Sequence, residues 1–149
     1  MKGLNMNITK SIIASLFLVF SGFASADGHK VTMQYGGDWT GTAMVANGDY
    51  LSMSGAFVGS NEMVMANGDV LITNYVCPGI YHEGEALGSC KMKQAGSQDF
   101  WVLSWKCDPE FNCTGEVMGG TGRFAGATGS LAWKDNSGFG KGGGTFNLK

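Results

Sequence analysis

From residue 27 onward, apolar and polar residues alternate in short runs. No window repeats apolar residues at i, i+3, i+4 and i+7 over three turns, so nothing there reads as an amphipathic helix. Period-two alternation between turn residues is the signature of half-buried β-strands. The pattern predicts an all-β chain of ten short strands, at 29–35, 39–45, 49–58, 62–65, 70–77, 88–93, 99–107, 113–118, 130–134 and 144–148. The segment 78–87 is the least regular and reads as a loop over one end. In 99–107 the odd set, Trp101, Leu103, Trp105 and Cys107, is more apolar than Phe100, Val102, Ser104 and Lys106, and is expected to face inward.

A near-repeat fixes the expected connections. Met44-Val-Ala-Asn-Gly-Asp-Tyr-Leu51 returns as Val64-Met-Ala-Asn-Gly-Asp-Val-Leu71. Asn-Gly is the preferred pair for a two-residue type I′ hairpin turn. Such turns would set Ala46 against Asp49 and Val45 against Tyr50 in the first hairpin. In the second they would set Met65 against Val70 and Met63 against Ile72. Gly59-Ser60-Asn61 would turn the chain between the two hairpins. A meander of this kind favours an antiparallel up-and-down β-barrel, in which closure removes exposed sheet edges.

The first 26 residues stand outside that pattern. Lys2 and Lys10 flank a positive start, residues 12–20 are apolar but too few to span a bilayer, and Ala24-Ser25-Ala26 matches a signal-peptidase site. The reading is a cleaved leader, 1–26, followed by one domain, 27–149, secreted or periplasmic. No second apolar span follows, so no membrane span is expected in the mature chain. The chain has 10 Lys and Arg against 12 Asp and Glu, and two of the lysines leave with the leader. A net acidic domain offers no face for phosphate backbones, which excludes nucleic acid as a partner.

Four cysteines, Cys77, Cys90, Cys107 and Cys113, lie in the exported part. An even count there reads as two disulfides with three possible pairings. Cys77–Cys90 and Cys107–Cys113 are favoured because they close the shorter loops. The spacing does not suit zinc, and Met63-x-Met65 reads as one face of a strand before it reads as a copper site. No metal or cofactor is expected.

Candidate chemistry is sparse. His82 lies beside Glu83 and Glu85, and an imidazole next to carboxylates at a barrel mouth is a candidate general base. Trp39, Trp101, Trp105 and Trp133 could fill a core or line a pocket for an apolar ligand. Apolar residues on both faces of several strands suggest a covered surface, as in a homo-oligomer.

The most distinctive stretch is Gly119-Gly120-Thr-Gly122-Arg123-Phe124-Ala-Gly126-Ala-Thr-Gly129, which contains the chain's single arginine. Its spacing differs from a phosphate-binding G-x-G-x-x-G, and no helix is expected after it. It reads as a structural turn, with Phe124 folded back as a plug and Arg123 as an anchor. With Ser130-Leu-Ala-Trp133 after it, the stretch resembles the late-strand motif of the allene oxide cyclase/dirigent-like barrel proteins. The Ala-Asn-Gly-Asp turns and the order Gly88-Ser-Cys90, Trp105-Lys-Cys107, Cys113-Thr-Gly115 are similar to exported bacterial members. The resemblance implies an eight-stranded antiparallel barrel with an apolar cavity, often oligomeric. Plant members cyclise an unsaturated fatty-acid epoxide or steer radical coupling. Their catalytic positions have no match here. The expected function is therefore binding of a small apolar or amphipathic molecule. A cofactor-free isomerase or cyclase is the alternative, and a structural envelope protein with a closed core is the third.

Overall fold

The computed structural model describes residues 29–149; the expected leader falls outside them. Eight strands form a closed antiparallel barrel in which each pairs with the next and the last returns to the first. They are β1 (Lys30–Asn47), β2 (Tyr50–Met65), β3 (Val70–His82), β4 (Glu85–Gln94), β5 (Phe100–Cys107), β6 (Asn112–Gly120), β7 (Gly129–Asn136) and β8 (Phe139–Thr145), with one 3₁₀ turn at Gly122–Phe124.

The all-β up-and-down architecture is as expected, but two expected breaks do not exist. The predicted strands at 29–35 and 39–45 are one strand, β1. Those at 49–58 and 62–65 are likewise one strand, because Gly59, Ser60 and Asn61 continue β2, paired with Gly37, Gly36 and Tyr35. Residues 78–87 are not a loop. They are the end of β3 and the start of β4, joined by a tight turn in which Glu83 and Gly84 take positive φ. The last strand comes earlier than expected, because β8 is a glycine run that offers no apolar alternation. His29 is exposed but held: its carbonyl accepts from the Phe146 amide and its amide donates to Asn147 Oδ1.

Both Asn-Gly hairpins differ from expectation in register. In the first, Asn47 pairs with Tyr50, so Gly48 and Asp49 form the turn and Gly48 supplies the positive φ. In the second, Met65 and Asp69 close a three-residue loop whose left-handed residue is Gly68. That one-residue change has a large consequence, because side chains alternate with period two. It places Leu71, Thr73, Tyr75 and Cys77 inside, and leaves Val70, Ile72, Val76 and Ile80 exposed on the outer face of β3.

The barrel has two unlike ends. At one, the 3₁₀ turn folds Phe124 over the opening, where Phe124, Phe146, Trp101 and Ala127 are buried together. The rings of Phe124 and Trp101 meet Phe146 edge-on, with centroids 6.3 and 5.0 Å away. Asp99 accepts the Arg123 backbone amide at 3.2 Å, and a Cβ at Gly122 (φ +54°) would strike that carboxylate. The Arg123 guanidinium lies over the Phe124 ring. At the other end the strands run on, and β1 and β2 project as a hairpin bent at a bulge near Gly41. Residues 40–50 of this arm are exposed, Met44 and Val45 by about two thirds.

Two disulfides join neighbouring strands, Cys77 with Cys90 across β3–β4 and Cys107 with Cys113 across β5–β6. They imply an oxidising, extracellular-type environment. Among the described residues no helix is long and apolar enough to cross a membrane.

Candidate functional site

The half of the barrel away from the Phe124 plug is hollow. It encloses a cavity of about 740 Å³ that reaches the turn residues Phe111, Ser137 and Gly138 at the open end. That volume is in the range of small-molecule pockets.

The sequence explains why the space stays empty. Large inward-facing rings stand opposite glycines on the neighbouring strand: Tyr35 opposite Gly140, Trp133 opposite Gly142, and Trp105 opposite Gly88. A Cβ at Gly79 or Gly88 would come within 2.7 or 2.8 Å of the Trp105 indole, and one at Gly140 would overlap the Tyr35 ring. The Trp105 and Tyr35 rings therefore lie along the wall over bare backbone. The lumen beside them stays open where two facing side chains would have filled it.

Five rings form the wall near the mouth. Tyr35 stands nearly perpendicular to Phe57, Tyr75 and Trp133, with centroids 6.1, 6.3 and 6.4 Å away. Phe57 stacks on Tyr75 at 5.7 Å, and Trp39 tilts against Phe57 at the same distance. Among them lies the carboxylate of Asp135. It accepts the Tyr35 hydroxyl in a short hydrogen bond and, weakly, the Gly138 amide at 3.4 Å. Both donors are neutral, so they orient the charge without cancelling it. The Tyr75 hydroxyl donates to the Gly36 carbonyl at 3.1 Å.

These contacts hold both phenols well above the usual tyrosine range. For Tyr35 burial is the main cause, followed by the hydrogen bond to Asp135 and that residue's charge, against a smaller opposing effect of the Trp133 indole. For Tyr75 burial again comes first, then the charges of Asp135 and Asp38. Neither is poised to act as a phenolate base; both are fixed donors.

Three further polar atoms on cavity-lining residues are buried without a hydrogen-bond partner among the described residues. They are Asn61 Oδ1 and the indole nitrogens of Trp101 and Trp105. All three atoms are inaccessible, so they sit within the wall and do not face the open space.

All four tryptophans singled out from the sequence line the cavity, Trp101 fully buried and Trp39 near the mouth. Cys77, Cys90 and Cys107 contribute to the same wall. The glycine stretch closes the far end and takes no part. His82, Glu83 and Glu85 form the exposed β3–β4 turn, and none of the three lines the cavity; His82 packs edge-on against Tyr50. Sequence reasoning missed Tyr35, Tyr75 and Asp135. The signal for Asp135 was present, since Leu131, Trp133 and Asp135 share one face of β7, but the expected strand stopped at residue 134.

No family model, no curated protein and no solved structure matches the chain.

Proposed function

We propose that this protein is an exported binding barrel that holds a small apolar or amphipathic molecule in its cavity. One observation carries the reading: the barrel is plugged at one end and hollow at the other, with aromatic rings kept against the wall by facing glycines. A structural protein with a closed core gains nothing from such space, because unfilled volume forfeits packing energy.

The test combines native mass spectrometry of the exported protein with titration of an uncharged apolar fluorophore. A one-to-one adduct, together with saturable quenching of tryptophan emission, is expected. Absence of both, in protein with intact disulfides, would remove the proposal.

The second reading, a cofactor-free isomerase of the kind the glycine-motif resemblance suggests, is favoured by the Tyr35–Asp135 pair alone. Proton transfer there would fall to the carboxylate, since Tyr35 stays protonated. His82 and Glu85, outside the cavity, have no part in that reading.

A further inference from the structure

We propose that the cavity selects organic cations, an ammonium head group being held at Asp135 between aromatic faces while an apolar tail runs toward the plugged end. The inference rests on the binding reading and specifies its ligand.

Asp135 lies on the inward face of β7, in line with Leu131 and Trp133. A carboxylate in a space walled by apolar groups is costly unless something compensates it. Here the compensation comes from two neutral donors, Tyr35 and Gly138. A carboxylate has about four lone-pair sites, so acceptor capacity and net charge both remain. The other charged residues of the lining, Asp38, Glu110 and Lys134, are mostly acidic too. The Lys134 ammonium turns away to the Glu110 carbonyl and Asn112 on the outer side.

The walls point the same way. Tyr35, Phe57, Tyr75, Trp133 and Trp39 surround the approach to Asp135, and the perpendicular setting of Tyr35 to three of them makes a box of ring faces and edges. Ring faces carry negative potential and attract ammonium groups, most strongly where water is excluded. The same faces repel an anionic head group. A neutral alcohol could donate one hydrogen bond to Asp135 but would gain nothing from its charge or from the ring faces. Deeper in the cavity the lining becomes aliphatic and sulfur-rich, with Met33, Met92, Leu103 and Leu131. That region suits an alkyl or aryl body and offers a cation nothing. Head and tail thus have separate places.

The test uses three ligands with one tail and different heads: octyltrimethylammonium, 1-octanol and octanoate. Binding to the disulfide-intact protein is followed by calorimetry and tryptophan emission. The cation is expected to bind at least about tenfold more tightly than the alcohol, and octanoate more weakly than either. Asp135→Asn should bring the cation to within about threefold of the alcohol. Should that variant fail to fold, Phe57→Leu should narrow the same ratio, and the wild-type ranking stands as a test by itself. If the alcohol binds as tightly as the cation, or octanoate binds tightest, the cation proposal is overturned and the binding barrel survives. If none of the three binds, the binding reading falls with it.

Discussion

Replacing Phe124 by alanine tests whether the glycine-rich stretch is a packed plug. The side chain is fully buried, lies against Phe146 and Ala127, and is carried on one short turn. Losing a buried phenyl ring costs its transfer free energy, about 1.5–3 kcal/mol, plus a cavity term. The turn is pinned through Asp99 and cannot easily collapse into the gap, so the total should reach about 3–5 kcal/mol. For a domain of this length, with an unfolding entropy of about 0.25 kcal/mol/K, that corresponds to a fall in Tm of about 12–20 °C. Denaturant unfolding of the oxidised protein, followed by tryptophan emission, would show the midpoint shift with the slope m unchanged. Phe139→Ala, at an exposed position, should change stability by less than about 0.5 kcal/mol. Phe124 does not line the cavity, so probe affinity well below the Tm should stay within about twofold. A loss under about 1 kcal/mol would refute the plug. So would a large loss of affinity with little loss of stability, which would make the stretch part of the site.

Other outcomes follow from the same geometry. In the unfolded chain Tyr35 and Tyr75 ionise near pH 10, while the folded protein keeps both protons. Stability should therefore be flat below that pH and fall as pH rises above it, by up to one proton per tyrosine. Phenolate absorbance should show two tyrosines ionising only with unfolding, and Tyr35→Phe should soften the alkaline transition. Removing Cys77–Cys90, which closes a 13-residue separation, should cost about 3 kcal/mol, and removing Cys107–Cys113, which closes 6, about 2 kcal/mol. Serine pairs compared by denaturant midpoint would check that order. Gly140→Ala should destabilise by about 1–3 kcal/mol, because its methyl group would occupy the place of the Tyr35 ring. A neutral result in thermal melts would show that the ring does not lie on the wall.

The barrel was legible wherever apolar alternation was strong, as in Trp101, Leu103 and Trp105 of β5. Shorter loop closure pointed to the cysteine pairs that the structure joins, since the partners sit on strands adjacent both in sequence and in space. Three features were not legible, each for a physical reason. Glycine marks turns and also marks close approach of a ring to backbone. Gly59, Gly79 and Gly88 belong to the second kind, and a single sequence does not separate the two. Register was set by loop length: Asn-Gly permits both a two-residue turn and a three-residue loop ending in left-handed Gly68. The site itself was hidden because Tyr35 and Asp135 lie at opposite ends of the chain, and only the closed sheet makes them neighbours.

Every joint in the wall links consecutive strands except one, where β1 meets β8 through pairs such as Lys30 with Thr145. Joining strands so far apart carries the largest loop-closure entropy, and a glycine-rich β8 has the most backbone freedom to surrender. A chain halted before residue 139 would be an open sheet with two free edges, however well its first seven strands had paired. Tyr35 and Asp135 flank β8 on either side and meet only when it is laid between them. The interior therefore acquires its charge arrangement only once β8 closes the sheet between β1 and β7, and that arrangement reports a sealed barrel.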